Sequence, residues 1–507
     1  MAAPYLITTA ISYPNGKPHM GHAYEAVTTD VIARFHRLLG RDVRFLTGTD
    51  EHGLKIAQAA KAAGLPPKQY VDIMVEAFAD MTAKLQISHD RFMRTTDADN
   101  VAAAQELWRR MAANGDLYPG RYEGWYSVRD EAYYDEAELL NATDASGQVV
   151  RLSPQGTPVE WTVEESWFFR LSAYQDRLLA LYDEQPDFVR PARSRNEMRA
   201  FVAGGLNDLS MSRTSFDWGV PVPDAPGHVM YVWVDALVNY LTGAGWPEDE
   251  RRWPADLHII GKDVVRFHAV YWPAFLIAAG VALPKAVFGH GHVLNRGEKM
   301  SKSLGNVVDP LVLAEAFGVD RLRWFLVREV AFGDDGSYSD AGIAERANAD
   351  LANGIGNLAQ RALAMVAKDG GAMPAAADGE GVELATALAA HTEAYFENMH
   401  GLALHRALES VMAMVSDANG FFAEAAPWGL KDDPVRRAAV LAATLDAARR
   451  IALLVQPVIP TSAGRLLDQL GVAPEARQFA DLGVRVAAGT PLPAPSGVFP
   501  RWVEPAA

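Results

Sequence analysis

Two short strings, some 280 residues apart, carry the chemistry of this chain: His19-Met20-Gly21-His22 and Lys299-Met300-Ser301-Lys302-Ser303. A given pentapeptide arises by chance in about one chain of this length in 10⁴, on the order of 507/20⁵, whereas the three fixed residues of H-x-G-H arise in several per cent. The second string therefore decides the reading. Two imidazoles three residues apart at the mouth of a helix share a face, beside amide groups that already favour an anion. Gly21 between them leaves room for a nucleotide base. On its own, H-x-G-H is more often a loop-capping histidine with a helix-packing glycine. Lys299 and Lys302, flanked by Gly297 and Gly305, sit on a loop that can close over pyrophosphate and bind a transition state better than the resting substrate. A solvated basic turn would account for two nearby lysines, but not for the whole string. Together the strings read as a split site for the phosphates of ATP.

The elements around them fit a parallel sheet covered by helices. Tyr5 to Ile11 is a β-rich run, a Pro14-Asn15-Gly16 turn follows, and Val27, Val31, Phe35 and Leu38 then mark one face of a helix. Val43 to Thr47 supplies a second strand before the polar Asp50-Glu51-His52-Gly53 cluster. Ligands on such sheets sit at the carboxyl ends of the strands, where both His19 to His22 and Asp50 to Gly53 fall. From about 116 to 225 the sequence becomes aromatic-rich and turn-broken, with Trp125-Tyr126, Tyr133-Tyr134 and Trp161, as an insertion would. The β-α rhythm returns with a strand at Met230 to Val234 and another at Leu257 to Ile260, whose Gly261-Lys262-Asp263 turn leads into an amphipathic helix. After about residue 340 strand signals cease, and Leu441, Leu445, Ala448, Ala452 and Val455 follow helical spacing. Residues 367–382 read as a flexible helix-to-helix connection, and 490–500 as an extended surface return. The expected architecture is α/β: a Rossmann-like parallel sheet in two halves (1–115 and 226–340), split by a connective module (116–225), then an all-α helical bundle (341–507).

The composition narrows the alternatives. A chain of 507 residues with 49% hydrophobic content supports several sizeable cores. No uninterrupted apolar run approaches the roughly 20 residues of a membrane span, and residues 1–16 carry no Lys or Arg, so a cytoplasmic protein without membrane attachment is expected. The absence of cysteine excludes disulfides, thiolate-bound zinc and a thiol nucleophile. A net charge of −16 opposes indiscriminate adhesion to nucleic acid, so any RNA must meet a locally basic face.

The paired H-M-G-H and K-M-S-K-S strings resemble the signature of class I aminoacyl-tRNA synthetases. Further strings are similar to the methionyl-tRNA synthetase family, nearly end to end: Tyr13-Pro-Asn-Gly16, Gly48-Thr-Asp-Glu-His-Gly53, Tyr231-Val-Trp-Val-Asp-Ala236, Gly261-Lys-Asp263 with Phe267-His268, Gly356-Asn-Leu-Ala-Gln-Arg361 and Pro427-Trp428. The resemblance implies an ATP-dependent ligase that activates L-methionine to methionyl-adenylate and transfers it to the terminal adenosine of tRNA(Met). It places His19, His22, Lys299 and Lys302 in catalysis. Contacts to ATP, which brings Mg²⁺, fall to His19, Gly21, His22, Glu25, Gly261, Asp263, Lys299, Ser301 and Lys302.

The same resemblance carries the methionine pocket onto Ile11, Tyr13, Asp50, Trp233, Ala236, Leu237, Tyr240 and His268. A thioether is polarizable and a weak hydrogen-bond acceptor, so aromatic walls with one polar group from Tyr240 or His268 suit it, and Asp50 suits the ammonium. Asn357, Arg361 and Trp428 fall where the family reads the anticodon, by base edges and stacking. Singly, Trp233, Tyr240 and these three would pass for core, capping and surface residues, and Asp263 for a helix cap. Two departures stand out. Met20 replaces the isoleucine common in the tetrapeptide, and Trp125-Tyr126-Ser127 stands where cysteine often begins a zinc knuckle. No structural zinc is expected, and the insertion should be held by its aromatics alone. The family's optional C-terminal dimerising segment is missing, which implies a monomer. The editing enzymes for valine, isoleucine and leucine need a longer insertion, the cysteine enzyme needs zinc-ligating cysteine, small H-x-G-H nucleotidyltransferases lack the pentapeptide, and a non-catalytic tRNA-binding relative would not need intact phosphate-binding residues.

Overall fold

The computed structural model describes residues 4–143, 149–295, 297–300 and 306–504. Its centre is a six-stranded sheet, parallel throughout, in the order Arg91–Arg94, Asp42–Thr49, Pro4–Thr9, Leu257–Gly261, Val287–His290, Val189–Arg190. Side chains alternate across each strand into two separate cores. Tyr5, Ile7, Phe45, Ile259 and Phe288 enter one, together with Val27, Val31 and Phe35 of the helix Met20–Leu38. Leu6, Leu46, Ile260 and Val287 enter the other, with Leu107 and Trp108 of the helix Ala98–Ala113. Burial on both faces explains why these strands read as continuous apolar runs. The order reverses between Pro4–Thr9 and Leu257–Gly261, which opens a crevice at their carboxyl ends.

One expected strand is absent. Met230 closes a two-residue strand, Val229–Met230, and Val232–Ala244 is a helix. Every residue of that helix is buried, so no polar face reveals its period, and an apolar run of this kind is ambiguous between strand and helix. After Gly261 the chain makes a short 3₁₀ turn at Lys262–Val264 and a π-helical turn at Phe267–Tyr271 before the helix Trp272–Ala278. Lys262–Val264 is half-buried, whereas Phe267–Ala278 is almost wholly buried and so shows no polar face.

The insertion forms an antiparallel sheet. Leu117–Ser127 pairs along its length with Glu160–Phe169, flanked by Ala132–Tyr134 and Leu209–Ser210. Aromatics are not its only fastening. Where a zinc knuckle might have stood, Asp130 Oδ2 accepts hydrogen bonds from Tyr134 (3.0 Å), Ser153 (2.7 Å) and Thr157 (2.5 Å), and Ser127 Oγ lies 2.8 Å from Thr157 Oγ1. Four short polar side chains thus clasp two turns that sequence separates by some 25 residues.

The tail is helical, and its helix Pro434–Val455 buries Leu441, Leu445, Ala448, Ala452 and Val455. Its core is continuous with the sheet face that holds the helix Met20–Leu38. Arg323, fully buried in the helix Val319–Glu329, bonds Asp30 of the Met20–Leu38 helix at 2.6 Å and the carbonyl oxygens of Leu85, Pro457 and Val458. Burial would raise the Asp30 carboxyl, but Arg323 and Arg34 hold it below its usual range. The 367–382 connection is pinned rather than flexible: Met373 N donates to Thr490 O and Leu492 N to Gly371 O, both 2.8 Å, so the extended return at 490–500 serves as its partner.

Candidate active site

The residues singled out by sequence gather at the crevice because each follows a strand end. Ile11 and Tyr13 follow Thr9, Asp50 follows Thr49, and Asp263 follows Gly261. His19 caps the helix Met20–Leu38. Its Nδ1 accepts from Gly21 N at 3.0 Å, and His22 Nδ1 accepts from His19 N at 3.0 Å, a reciprocal cap built from two imidazoles with ring centroids 3.9 Å apart. Because both Nδ1 atoms accept, the neutral rings carry their protons on Nε2, the donor a phosphate oxygen needs. Gly21 has a reason beyond room for a base: a Cβ there would lie 2.8 Å from His19 Cε1 and push the ring out of its cap.

Four buried carboxylates, Asp50, Glu51, Glu131 and Asp235, surround the start of the next helix. Glu51 takes Arg94 at 2.6 and 2.9 Å, Asp235 takes His52 Nδ1 at 2.6 Å, and Glu131, from the insertion, accepts from Lys55 N at 3.0 Å and from the Tyr126 hydroxyl. Gly53, at φ +98°, admits Glu131, whose Oε1 would meet a Cβ at 2.9 Å. The Oδ1 atom of Asp50 has no hydrogen-bond partner. Burial first, then Asp235 and Glu131, push its carboxyl well above the usual range. A buried carboxylate in such company is stabilised by an incoming cation. Sequence supplied Asp50 but no role for His52, Asp235 or Glu131, although the first two lie inside the strings quoted above.

All eight residues of the expected methionine pocket line one cavity of about 430 Å³. Trp233 stacks on Phe267 at 3.8 Å and 5°. His268 Nδ1 faces Val264 O at 2.9 Å and its Nε2 lies 2.7 Å from the Tyr240 hydroxyl. Burial lowers His268 to about 4, so the ring is neutral near pH 7: Nδ1–H donates to the carbonyl, and Nε2 accepts the tyrosine proton. The polar group expected to face a thioether is therefore already engaged, and the cavity offers mainly aromatic and aliphatic surface.

His19, Gly21, His22, Glu25, Gly261 and Asp263 line an adjoining cavity of about 290 Å³, and Met300 lines it too. Lys299 ends the short strand Glu298–Lys299 paired with Val293–Asn295. Its side chain, with Ser301 and Lys302, lies outside the described residues. Two histidines that sequence reasoning passed over hold the carboxylates here: His290 Nε2 is 2.9 Å from Glu25 and His292 Nε2 is 2.9 Å from Asp263. The H-x-H after the strand Val287–His290 was the available signal. A third cavity, about 470 Å³, shares His19, His22 and Met300 and adds Lys17, Lys55 and Arg129, cations that arrive singly from three segments.

Far along the chain, Asn357 begins the helix Asn357–Lys368, Arg361 lies one turn on, and the Arg361 guanidinium sits 5.5 Å from the ring centre of Trp428. Trp428 is 48% exposed, which leaves indole surface for a base to stack on.

Comparison with known proteins agrees with this arrangement. A family model for class I tRNA synthetases (M) matches residues 5–363, and one for the anticodon binding domain of methionyl tRNA ligase matches 371–504. The chain is 56% identical to the methionine–tRNA ligase of Mycobacterium bovis, covering 99% of this chain and 98% of that one, and 55% identical to that of Rhizobium meliloti, covering 100% and 99%. Among solved structures it is similar to Mycobacterium tuberculosis methionyl-tRNA synthetase in complex with methionyl-adenylate, with a TM-score of 0.95, 56% identity and coverage of 98% and 100%. The apo form of that enzyme gives a TM-score of 0.89 at 51% identity, covering 100% and 99%.

Proposed function

This chain belongs to the class I methionyl-tRNA synthetase family, and we propose that its crevice joins L-methionine to ATP and then to tRNA(Met) in two steps at one site. The single observation that carries the reading is the adjacency of a carboxylate-ended apolar cavity and a histidine-capped cavity, both bordered by Asp263. In the first step the amino-acid carboxylate attacks the α-phosphate of ATP, and pyrophosphate leaves. Asp50 anchors the ammonium, Ile11, Tyr13, Trp233, Ala236, Leu237, Tyr240 and His268 enclose the side chain, and Asp263 with Gly261 and Glu25 positions the nucleoside. His19 and His22 donate to phosphate oxygens from Nε2. Lys17, Lys55 and Arg129 face the departing pyrophosphate, and Lys299, Ser301 and Lys302 are assigned to the same phosphates. Mg²⁺ bound with ATP would supply further neutralisation of phosphate charge. Catalysis is by positioning and electrostatic stabilisation, with no covalent enzyme intermediate.

The halves 1–115 and 226–340 are assigned to activation, 116–225 to closing the site and 341–507 to anticodon reading by Asn357, Arg361 and Trp428. Among the described residues no helix is long and apolar enough to cross a membrane, and no group of three or more His, Asp or Glu is placed to hold a metal ion.

Pyrophosphate exchange into ATP, screened across the amino acids, tests activation without RNA: methionine should support it strongly and no other amino acid comparably. Equal support by several amino acids would refute the assignment of the cavity to methionine. Trp428→Ala should leave exchange intact while raising the tRNA concentration for half-maximal charging roughly 5- to 150-fold, the equivalent of about 1–3 kcal/mol of base stacking. A parallel loss of both activities would instead mean that Trp428 supports the fold.

A further inference from the structure

At the outer edge of the parallel sheet, where the strand Val189–Arg190 meets the helical tail, lies a cavity of about 370 Å³, within the range of small-molecule sites. It shares no lining residue with the three cavities of the crevice. Arg190 and Arg195 line it from the sheet domain, and His405 and Arg406 from the first turn of the tail helix Leu404–Ala425. Three guanidiniums converge there in a chain whose net charge is −16. We propose that this cavity is a second ligand site, for a small phosphate monoester that carries free hydroxyls, of the class of a pentose phosphate, and that its occupant bridges the sheet domain and the tail.

The walls hold two of these cations in place and leave a third to close. Arg190 Nη2 donates to Gly401 O at 2.6 Å, across the junction between sheet domain and tail. Arg195 Nη1 donates to Pro186 O at 3.2 Å, and its Nε and Nη2 reach Asn196 Oδ1 at 3.3 and 3.2 Å. A guanidinium carries five N–H groups, so both arginines keep donors for a ligand. Arg406 is exposed and makes no ion pair or side-chain hydrogen bond among the described residues. His405 Nδ1 is shielded from solvent and has no hydrogen-bond partner, an orphan that an occupant of the cavity would satisfy. Burial lowers the pKa of that ring, so it is neutral near pH 7 and can give one N–H to a phosphate oxygen. Planar forks arriving from the end of a strand and from two helices need more acceptor oxygens than the two of a carboxylate, and phosphate supplies them. Asp187 and Asp334 also line the cavity. They disfavour a bare polyanion but accept hydrogen bonds from hydroxyls, which selects an ester of a polyhydroxy compound over free phosphate.

The test is calorimetric titration of the full-length protein, freed of phosphate, with ribose 5-phosphate, inorganic phosphate and ribose in separate arms. ATP is kept saturating and methionine absent, so that the crevice is filled. Ribose 5-phosphate should bind at a single site and raise the melting temperature as its concentration passes the Kd, inorganic phosphate should bind more weakly, and ribose should not bind. Arg406→Ala should weaken ribose 5-phosphate roughly tenfold, the loss of one charge-assisted hydrogen bond, and Arg406→Glu should abolish binding, while pyrophosphate exchange in phosphate-free buffer stays within about twofold of wild type. Equal binding of inorganic phosphate would support the site with free phosphate as its occupant. No binding to the wild type, or affinity unchanged in both Arg406 variants, would overturn it, whatever the outcome for methionine-dependent exchange. Should the Arg406 variants melt well below the wild type, Arg195→Ala decides by the same titration: weakened binding supports the site and unchanged binding removes it.

Discussion

Asp50→Asn should raise the methionine concentration needed for half-maximal pyrophosphate exchange by roughly 10²–10³-fold, while the requirement for ATP changes little. The magnitude follows from what the substitution leaves behind: a buried ammonium facing a neutral amide, a loss of about 3–5 kcal/mol for one partner of a buried pair. Isosteric replacement preserves the packing around Tyr13, so the loss reports charge rather than shape. A second signature comes from protonation. Burial and the neighbouring Asp235 and Glu131 raise the carboxyl of the free enzyme, so a growing fraction is neutral as pH falls toward that raised value. An arriving ammonium favours the carboxylate and expels the proton. Methionine affinity should therefore weaken as pH is lowered, with proton release on binding that titration calorimetry in buffers of different ionisation enthalpy detects. Asp50→Asn should abolish both the slope and the release. A pH-independent affinity in the wild type would remove Asp50 from the role of ammonium partner.

That pocket was legible through the family resemblance, and strand ends account for part of it. Ile11, Tyr13, Asp50 and Asp263 each lie within a few residues of a strand's last pair, and a short continuous apolar run locates the strand. Trp233, Ala236, Leu237 and Tyr240 were found through their strings rather than through periodicity, since Val232–Ala244 is buried all round and offers no period to read. The residues proposed to read the anticodon came the same way: no spacing joins Trp428 to Arg361, and only the packing of the bundle sets the Arg361 guanidinium 5.5 Å from the Trp428 ring centre.

What escaped sequence reasoning depends on pairings that no local pattern encodes. The Ser127, Asp130, Ser153 and Thr157 clasp links turns on opposite sides of a long hairpin, and each member alone is an ordinary turn residue. Glu131, at φ +49°, enters the acidic cluster from the position next to Asp130, a member of that clasp. Lys17, Lys55 and Arg129 converge from three segments, and three isolated cations at those spacings would ordinarily be taken as solvated surface. The insertion thus shapes the cavity proposed for methionine, since Arg129, Gln155 and Thr157 line it beside residues of the sheet.

The imidazole cap makes the second large effect separable into two parts. His22 uses Nδ1 to accept the His19 amide at 3.0 Å, which leaves the proton of the neutral ring on Nε2, so one ring both closes the helix and lines the cavity proposed for ATP. Asparagine places an oxygen near the position of Nδ1 but has nothing at Nε2; glutamine reaches the Nε2 position with an amide donor but vacates Nδ1. His22→Asn should accordingly melt close to the wild-type temperature yet lower the exchange rate at saturating substrates by roughly 10²–10³-fold, the cost of one donor aimed at transition-state charge. His22→Gln should do the reverse: a milder rate loss, with stability reduced by about 0.5–2 kcal/mol for the lost cap on a half-buried amide. Thermal melts beside exchange kinetics check both arms. If Asn and Gln lowered the rate equally at unequal stability, the Nε2–H would have no special part in the reaction, and the ring would matter only as the clasp of its helix.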